Sequence, residues 1–147
     1  MSDLTEATGL TKGSIYGNFK NKDGVAIEAF KYNLAVITDS FFEKISDSRI
    51  SPVDRLLALP LTYLRRYDTI VAMGGCPILN TAVDADDTHP ELKKMAQNII
   101  EKINKSLISL IEEGISIGQI KPETNPNKIA QVMISLVEGG FMTAKLL

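Results

Sequence analysis

The sequence predicts an all-α protein on three observations. Helix-start signatures recur along its length, apolar residues recur every three or four positions in long segments, and no segment alternates with period two long enough to make a strand. Its 147 residues suffice to bury roughly two-thirds of the surface of the unfolded chain, which predicts one compact unit with a small appendage.

Asp3 and Glu6 form a D-x-x-E start that resembles a capping box, and Gly9 closes the short helix that follows. Thr11 caps a second short helix, in which Ile15 and Phe19, four apart, bury one face. Together they make a helix-turn-helix corner. The other face of the second helix carries Lys12, Gly13, Ser14, Tyr16, Gly17 and Asn18, a set of hydroxyls, an amide, a cation and glycines suited to close approach by a phosphate backbone.

Asn21 caps a long helix from about Lys22 to Ile45, with Ala26, Phe30, Leu34, Ile37, Phe41 and Ile45 along one side. Its length of roughly 36 Å makes it a rigid connection. Ser51-Pro52-Val53-Asp54 starts a helical run to Ala72, which Pro60 should kink. Gly74-Gly75-Cys76-Pro77 breaks the chain, Ile78 to Val83 reads as a short helix, and Asp84-Ala85-Asp86-Asp87 as an acidic turn. Thr88-His89-Pro90-Glu91 opens an amphipathic helix from Glu91 to about Ile117, central to the core, with Leu92, Met95, Ile99, Ile103, Leu107, Leu110 and Ile111 as its stripe and Gly118 at its end. After Asn125-Pro126, the last helix carries Ile129, Val132, Met133, Leu136, Val137, Gly140, Phe141 and Ala144 with few charges on any side, so it needs cover on several faces. Gly139-Gly140 costs helix propensity, about 1 kcal/mol per glycine, and predicts close approach of a neighbouring helix, such as one from a two-fold partner.

The net charge of −2 excludes a broad positive field for nucleic acid or membrane, so any DNA contact must be local. Residues 10–22 hold Lys12, Lys20 and Lys22 and no acid. The single cysteine, Cys76, forms no internal disulfide and fits a reducing cytoplasm. No apolar run approaches the ~18 residues of a membrane span. Catalysis would have to combine Cys76, His89 and Asp84 without any sign of a lowered thiol pKa or an oxyanion hole, so no enzyme is expected. His89 instead reads as a surface or capping residue.

The series Gly9-Leu10-Thr11-Lys12-Gly13-Ser14-Ile15-Tyr16, then Asn18-Phe19 and Lys22, resembles the DNA-binding end of the TetR/AcrR family of bacterial regulators. Gly75-Cys76 with Asn80-Thr81-Ala82, Asp84 and Pro90-Glu91 is similar to a pattern in one branch of that family. The resemblance implies that Thr11, Lys12, Gly13, Ser14, Tyr16, Gly17 and Asn18 face the major groove or flanking phosphates, with Lys22 on phosphate. Leu4, Leu10, Ile15 and Phe19 would hold the motif together. It further implies two domains: residues 1–44, a helix-turn-helix unit with connecting helix, and residues 45–147, an antiparallel bundle for ligand binding and dimerisation. The implied partners are double-stranded operator DNA, a small-molecule effector and a second copy of the chain, with neither cofactor, metal nor membrane. The expected action is repression of a palindromic operator, relieved by the effector; the alternative is a dimerisation and ligand-binding module that does not bind DNA by itself. Tyr63, Arg66, Tyr67, Cys76, Asn80 and Phe141 are the candidates to line a cavity between kinked helices, where pockets are mainly apolar with a few orienting polar groups. Family members carry a further helix before Asp3 and continue beyond Leu147, so the chain reads as a shortened version lacking the first DNA-binding helix and the end of the dimerisation region.

Overall fold

The computed structural model describes residues 2–85 and 88–147, and the side chains of Ser2 and Asp3 are not among what is described. The Asp3 side chain of the expected capping box, and Asp86 and Asp87 of the acidic turn, therefore lie outside the described residues. Helices run over α1 (Ser2–Thr8), α2 (Lys12–Asn18), α3 (Lys22–Ile45), α4 (Pro52–Leu56), α5 (Ala58–Arg65), α6 (Tyr67–Ala72), α7 (Pro77–Asp84), α8 (Pro90–Ser116) and α9 (Pro126–Leu146). The described residues contain no strand.

Side-chain caps start most of these helices where the sequence signals them. Thr11 Oγ1 accepts from Ser14 N at 3.1 Å, Asn21 Oδ1 from Gly24 N at 2.8 Å, Ser51 Oγ from Asp54 N at 3.2 Å and Asn125 Oδ1 from Lys128 N at 3.0 Å. Each satisfies one of the amides that a first turn leaves without an intrahelical partner. His89 caps α8 through Nδ1, which accepts from Leu92 N at 3.2 Å. At the other end of α8, Gly118 adopts φ +74° and lets its own amide reach Ile115 O at 3.1 Å while Gln119 N reaches Gly114 O at 2.9 Å. Both bonds belong to a Schellman closure, which a side chain at residue 118 would strain.

Pro60 interrupts the run from Val53 to Ala72, but the break lies upstream of it. α4 ends at Leu56, with Leu57 as the cap between it and α5, and Pro60 occupies the first turn of α5, where its missing N–H costs nothing. A second break at Arg66 separates α5 from α6.

By its contacts the chain divides into two units, residues 1–32 and 33–147, with the division inside α3. In the first, Ile15 and Phe30 are buried apolar residues. Leu10, expected as a strut of the motif, is 48% exposed. Two helices of seven residues enclose too little volume to cover every apolar side chain at their corner.

In the second unit, α8 packs against α4, α7 and α9. Its Ile103, Leu107, Leu110 and Ile111 meet Ile37, Phe41 and Ile45 of α3, Leu56 and Leu59 of α4 and α5, Ile70 of α6, and Ala130 and Phe141 of α9 in one core. Arg55 staples this core's edge: Nε donates to Ile45 O at 2.8 Å, and Nη1 donates to the Glu113 carboxylate at 2.9 and 3.0 Å. It thereby joins the last turn of α3 to α8.

One correction concerns α9. At 21 residues it is long and apolar enough, by length and composition alone, to cross a membrane. Its Ile, Val, Leu, Met, Phe and Ala residues keep the average hydropathy high, while interspersed glycine, serine and threonine lower it little and break up any continuous apolar run. Its mid-helix acid, Glu138, is hydrogen-bonded to Tyr63 and Cys76, which is the behaviour of a bundle helix.

Candidate functional site

α2 is about two turns long after its cap, Thr11, and is anchored by one buried side chain, Ile15. Phe19 is half-buried and closes the helix with its own amide on Ile15 O at 2.9 Å. Around that anchor, Thr11, Lys12, Gly13, Ser14, Tyr16, Gly17, Asn18 and Lys22 are all exposed. The structure thus brings the expected contact residues onto the outside of one short helix and the start of the next. Some of their polar groups already have work. Thr11 Oγ1 serves as the cap, and Asn18 Nδ2 donates to Ser14 O at 3.0 Å, leaving the Asn18 carbonyl and the Ser14 and Tyr16 hydroxyls to face outward partners. Nothing within 4 Å would meet a Cβ at Gly17, so its face is open to close approach.

In residues 33–147, α5 and α9 flank an apolar cleft of about 290 Å³. Tyr63, Tyr67 and Phe141 line it together with Pro60, Leu64, Leu136, Val137, Gly140 and Ala144. The rings meet edge to face: Tyr63 and Phe141 at 5.8 Å and 75°, Tyr67 and Phe141 at 5.7 Å and 61°. Tyr67 Oη donates to Ala144 O at 2.8 Å, which holds its ring across the cleft.

The other three expected pocket residues do not line it. Arg66 is exposed at the α5–α6 break. Asn80, also exposed, donates from Nδ2 to Gly74 O at 3.2 Å, and Lys145 Nζ reaches the same carbonyl at 2.9 Å, so these two side chains secure the Gly74 corner to the end of α9. Cys76 is buried beneath the cleft wall, 3.3 Å from Tyr63 Oη.

Tyr63 Oη and Cys76 Sγ both donate to Glu138 Oε1, at 2.6 and 3.2 Å. Burial, reinforced by the neighbouring Cys76 and Glu138, raises the Tyr63 hydroxyl well above its usual range. Burial and the Glu138 carboxylate push the Cys76 thiol up to about 12. A thiol held protonated is the opposite of an activated nucleophile. Among the described residues, no group of three or more His, Cys, Asp or Glu side chains is arranged to hold a metal ion.

The sequence reading missed Glu138. Its signal was the lone acid in the stretch from Thr124 to Leu147, on a helix otherwise fitted for a core. Leu136 and Gly140 were legible as part of the α9 stripe, whereas Leu64 of α5 enters the cleft only through the packing of the two helices.

The family model described as "Tetracyclin repressor-like, C-terminal domain" matches residues 52–147. A TetR-family transcriptional regulator from Cytophaga hutchinsonii is 42% identical, with a TM-score of 0.82 over 99% of this chain and 72% of that one. A TetR transcriptional regulator from Chloroflexus aurantiacus J-10-FL is 33% identical, with a TM-score of 0.86 over 99% of this chain and 73% of that one. The HTH-type transcriptional repressor DhaR of Mycobacterium sp. (strain GP1) is 23% identical over 146 residues, 99% of this chain and 72% of its own length. The fatty acid metabolism regulator protein of Bacillus subtilis (strain 168) is 22% identical over 138 residues, 94% and 69% of the two chains. These relatives are regulators rather than enzymes. With a family model covering most of the sequence and two solved relatives covering nearly all of it, the chain belongs to the TetR family of transcriptional regulators.

Proposed function

We propose that this regulator acts in the cytoplasm as a homodimeric repressor, reading a palindromic operator with α2 and leaving it when a small molecule occupies the cleft between α5 and α9. The observation that carries the DNA reading is the face of α2: every expected contact residue is exposed around the buried anchor Ile15, and residues 10–22 contain three lysines and no acid. Phosphate contacts by lysine position such a helix, and side-chain contacts with base edges specify sequence. Thr11, Lys12, Gly13, Ser14, Tyr16, Gly17, Asn18 and Lys22 form the proposed interface, residues 1–44 the DNA-binding part and residues 45–147 the regulatory part.

The exposed apolar residues Ile129 and Val132 along α9, which lie outside the cleft, support dimerisation, as does the open space around Gly139. Two-fold symmetry sets the recognition helices about 34 to 36 Å apart on successive major grooves, or a multiple of that. An effector that favours another spacing lowers DNA affinity by linkage. The name of the Mycobacterium relative, a repressor, supports that sign of regulation. The exposure of Leu10 favours a second reading, a ligand-binding and dimerisation module without DNA affinity of its own.

Selection from a randomised duplex library decides between them. Recovery of a palindrome, with Ser14→Ala and Asn18→Ala changing the preferred bases more than total affinity, supports the first reading. A uniform loss across the library removes base contact from these residues, and no salt-sensitive retention of any duplex supports the second.

A further inference from the structure

The cleft between α5 and α9 offers a ligand neither a charge nor a side-chain proton. None of the side chains that line it carries a charge at neutral pH, and its only polar side-chain atoms are the hydroxyls of Tyr63 and Tyr67. Both protons are already committed: Tyr63 Oη donates to Glu138 Oε1 at 2.6 Å, and Tyr67 Oη to Ala144 O at 2.8 Å. A ligand carboxylate therefore finds no side-chain donor in the lining, and a ligand ammonium finds no anion. Aromatic faces do attract a cation, but less strongly than water holds an ammonium.

Gly140 keeps this space open. A Cβ at this cleft-lining residue would meet nothing within 4 Å, so no neighbour within the chain requires a glycine there, although glycine inside a helix weakens it. The cleft's 290 Å³ is about twice the ~150 Å³ of apolar cavity that accepts a benzene ring, which leaves room for two fused rings. A helix, about 10 Å across with its side chains, is too broad to enter.

Building on the reading of the cleft as the effector site, we infer that the effector is an uncharged, largely hydrocarbon molecule the size of two fused aromatic rings. Tyr63, Tyr67 and Phe141 meet it with ring edges and faces. Leu64 and Leu136, 72% and 69% exposed, gain apolar cover from it. A charged group on the same skeleton has to stay in water at the mouth, which holds ring carbons out of the cleft.

Naphthalene, naphthoate and naphthylmethylamine, each titrated into the full chain at neutral pH, test this. Fluorescence gives affinities, and the ring proton resonances of Tyr67 and Phe141 report occupancy of the cleft. Naphthalene binds about tenfold tighter than either ion, the equivalent of roughly two more buried ring carbons. Gly140→Leu places a side chain in the cleft and abolishes naphthalene binding, whereas Gly139→Leu, outside the lining, leaves it within about twofold. The ranking on the unaltered chain stands independently of how well either variant folds. Equal binding of the three, or preference for an ion, overturns the uncharged class and leaves the cleft as a ligand site. If no compound shifts the Tyr67 and Phe141 rings, if naphthalene still binds Gly140→Leu, or if the rings shift only with protein concentration because a second copy covers the cleft, both the ligand class and the effector site are overturned.

Discussion

In residues 1–32 Ile15 and Phe30 are buried, whereas residues 33–147 share one core that draws on α3 through α9. The smaller unit exposes nearly all of the polar groups to which a role is assigned; the larger hides its own, with Tyr63 and Cys76 buried around a Glu138 oxygen. Recognition of DNA needs a presented face on a minimal anchor, while recognition of a small molecule needs an enclosed one. The first is written in exposed residues at helical spacing, and the second in contacts between residues far apart in sequence.

The sharpest test of this contrast is paired truncation. Leu107 is fully buried in α8, and Leu107→Ala should destabilise the larger unit by about 3 kcal/mol through lost burial and the cavity left behind. Ile15→Ala should instead expose the α1 and α2 amides to rapid exchange while the main thermal transition stays in place. Joint loss of both units in either variant would break the contrast.

A smaller effect is expected at the staple. Arg55→Ala removes the donors to Ile45 O and to Glu113, and since Glu113 is itself half exposed the loss should be about 1 to 2 kcal/mol, read by denaturant unfolding. An unchanged midpoint would show that α3 is held to α8 by apolar packing alone.

A separate effect, confined to alkaline pH, is the pH dependence of Cys76. Its thiol is raised from about 9 in the open chain to about 12 in the fold, so the unfolded form ionises first. The contribution is intact below pH 9 and declines as pH rises from there towards 12. At pH 8 the folded thiolate fraction is on the order of 10⁻⁴, so a thiol reagent should label the native protein far more slowly than the denatured one. Comparable rates would place Cys76 outside the buried cluster.

Much of the helical order was legible because its signals are local. Thr11, Asn21, Ser51 and Asn125 cap where their sequence neighbours say they should, and α3 covers the expected residues 22–45. Pro60 announced a break but not its register, because proline is compatible with a first turn and incompatible only with what precedes it. Arg55 finds partners 10 and 58 positions away, and no periodicity foretells such a pair. Tyr63, Tyr67 and Phe141 do converge on the cleft, but Arg66 and Asn80 stay outside it, since exposure at a helix break and hydrogen bonding to a turn depend on tertiary geometry. Leu10 shows the converse error, an apolar residue that the short helices leave uncovered.

The most direct test of the account is the salt dependence of duplex binding by the full chain and by Lys22→Ala, the smallest change expected to register. Lys22 is exposed at the first turn of α3, and if it meets a phosphate its loss should weaken binding to all sequences alike and flatten the logarithmic salt slope by about one unit. An unchanged slope would contradict the placement of DNA on this face.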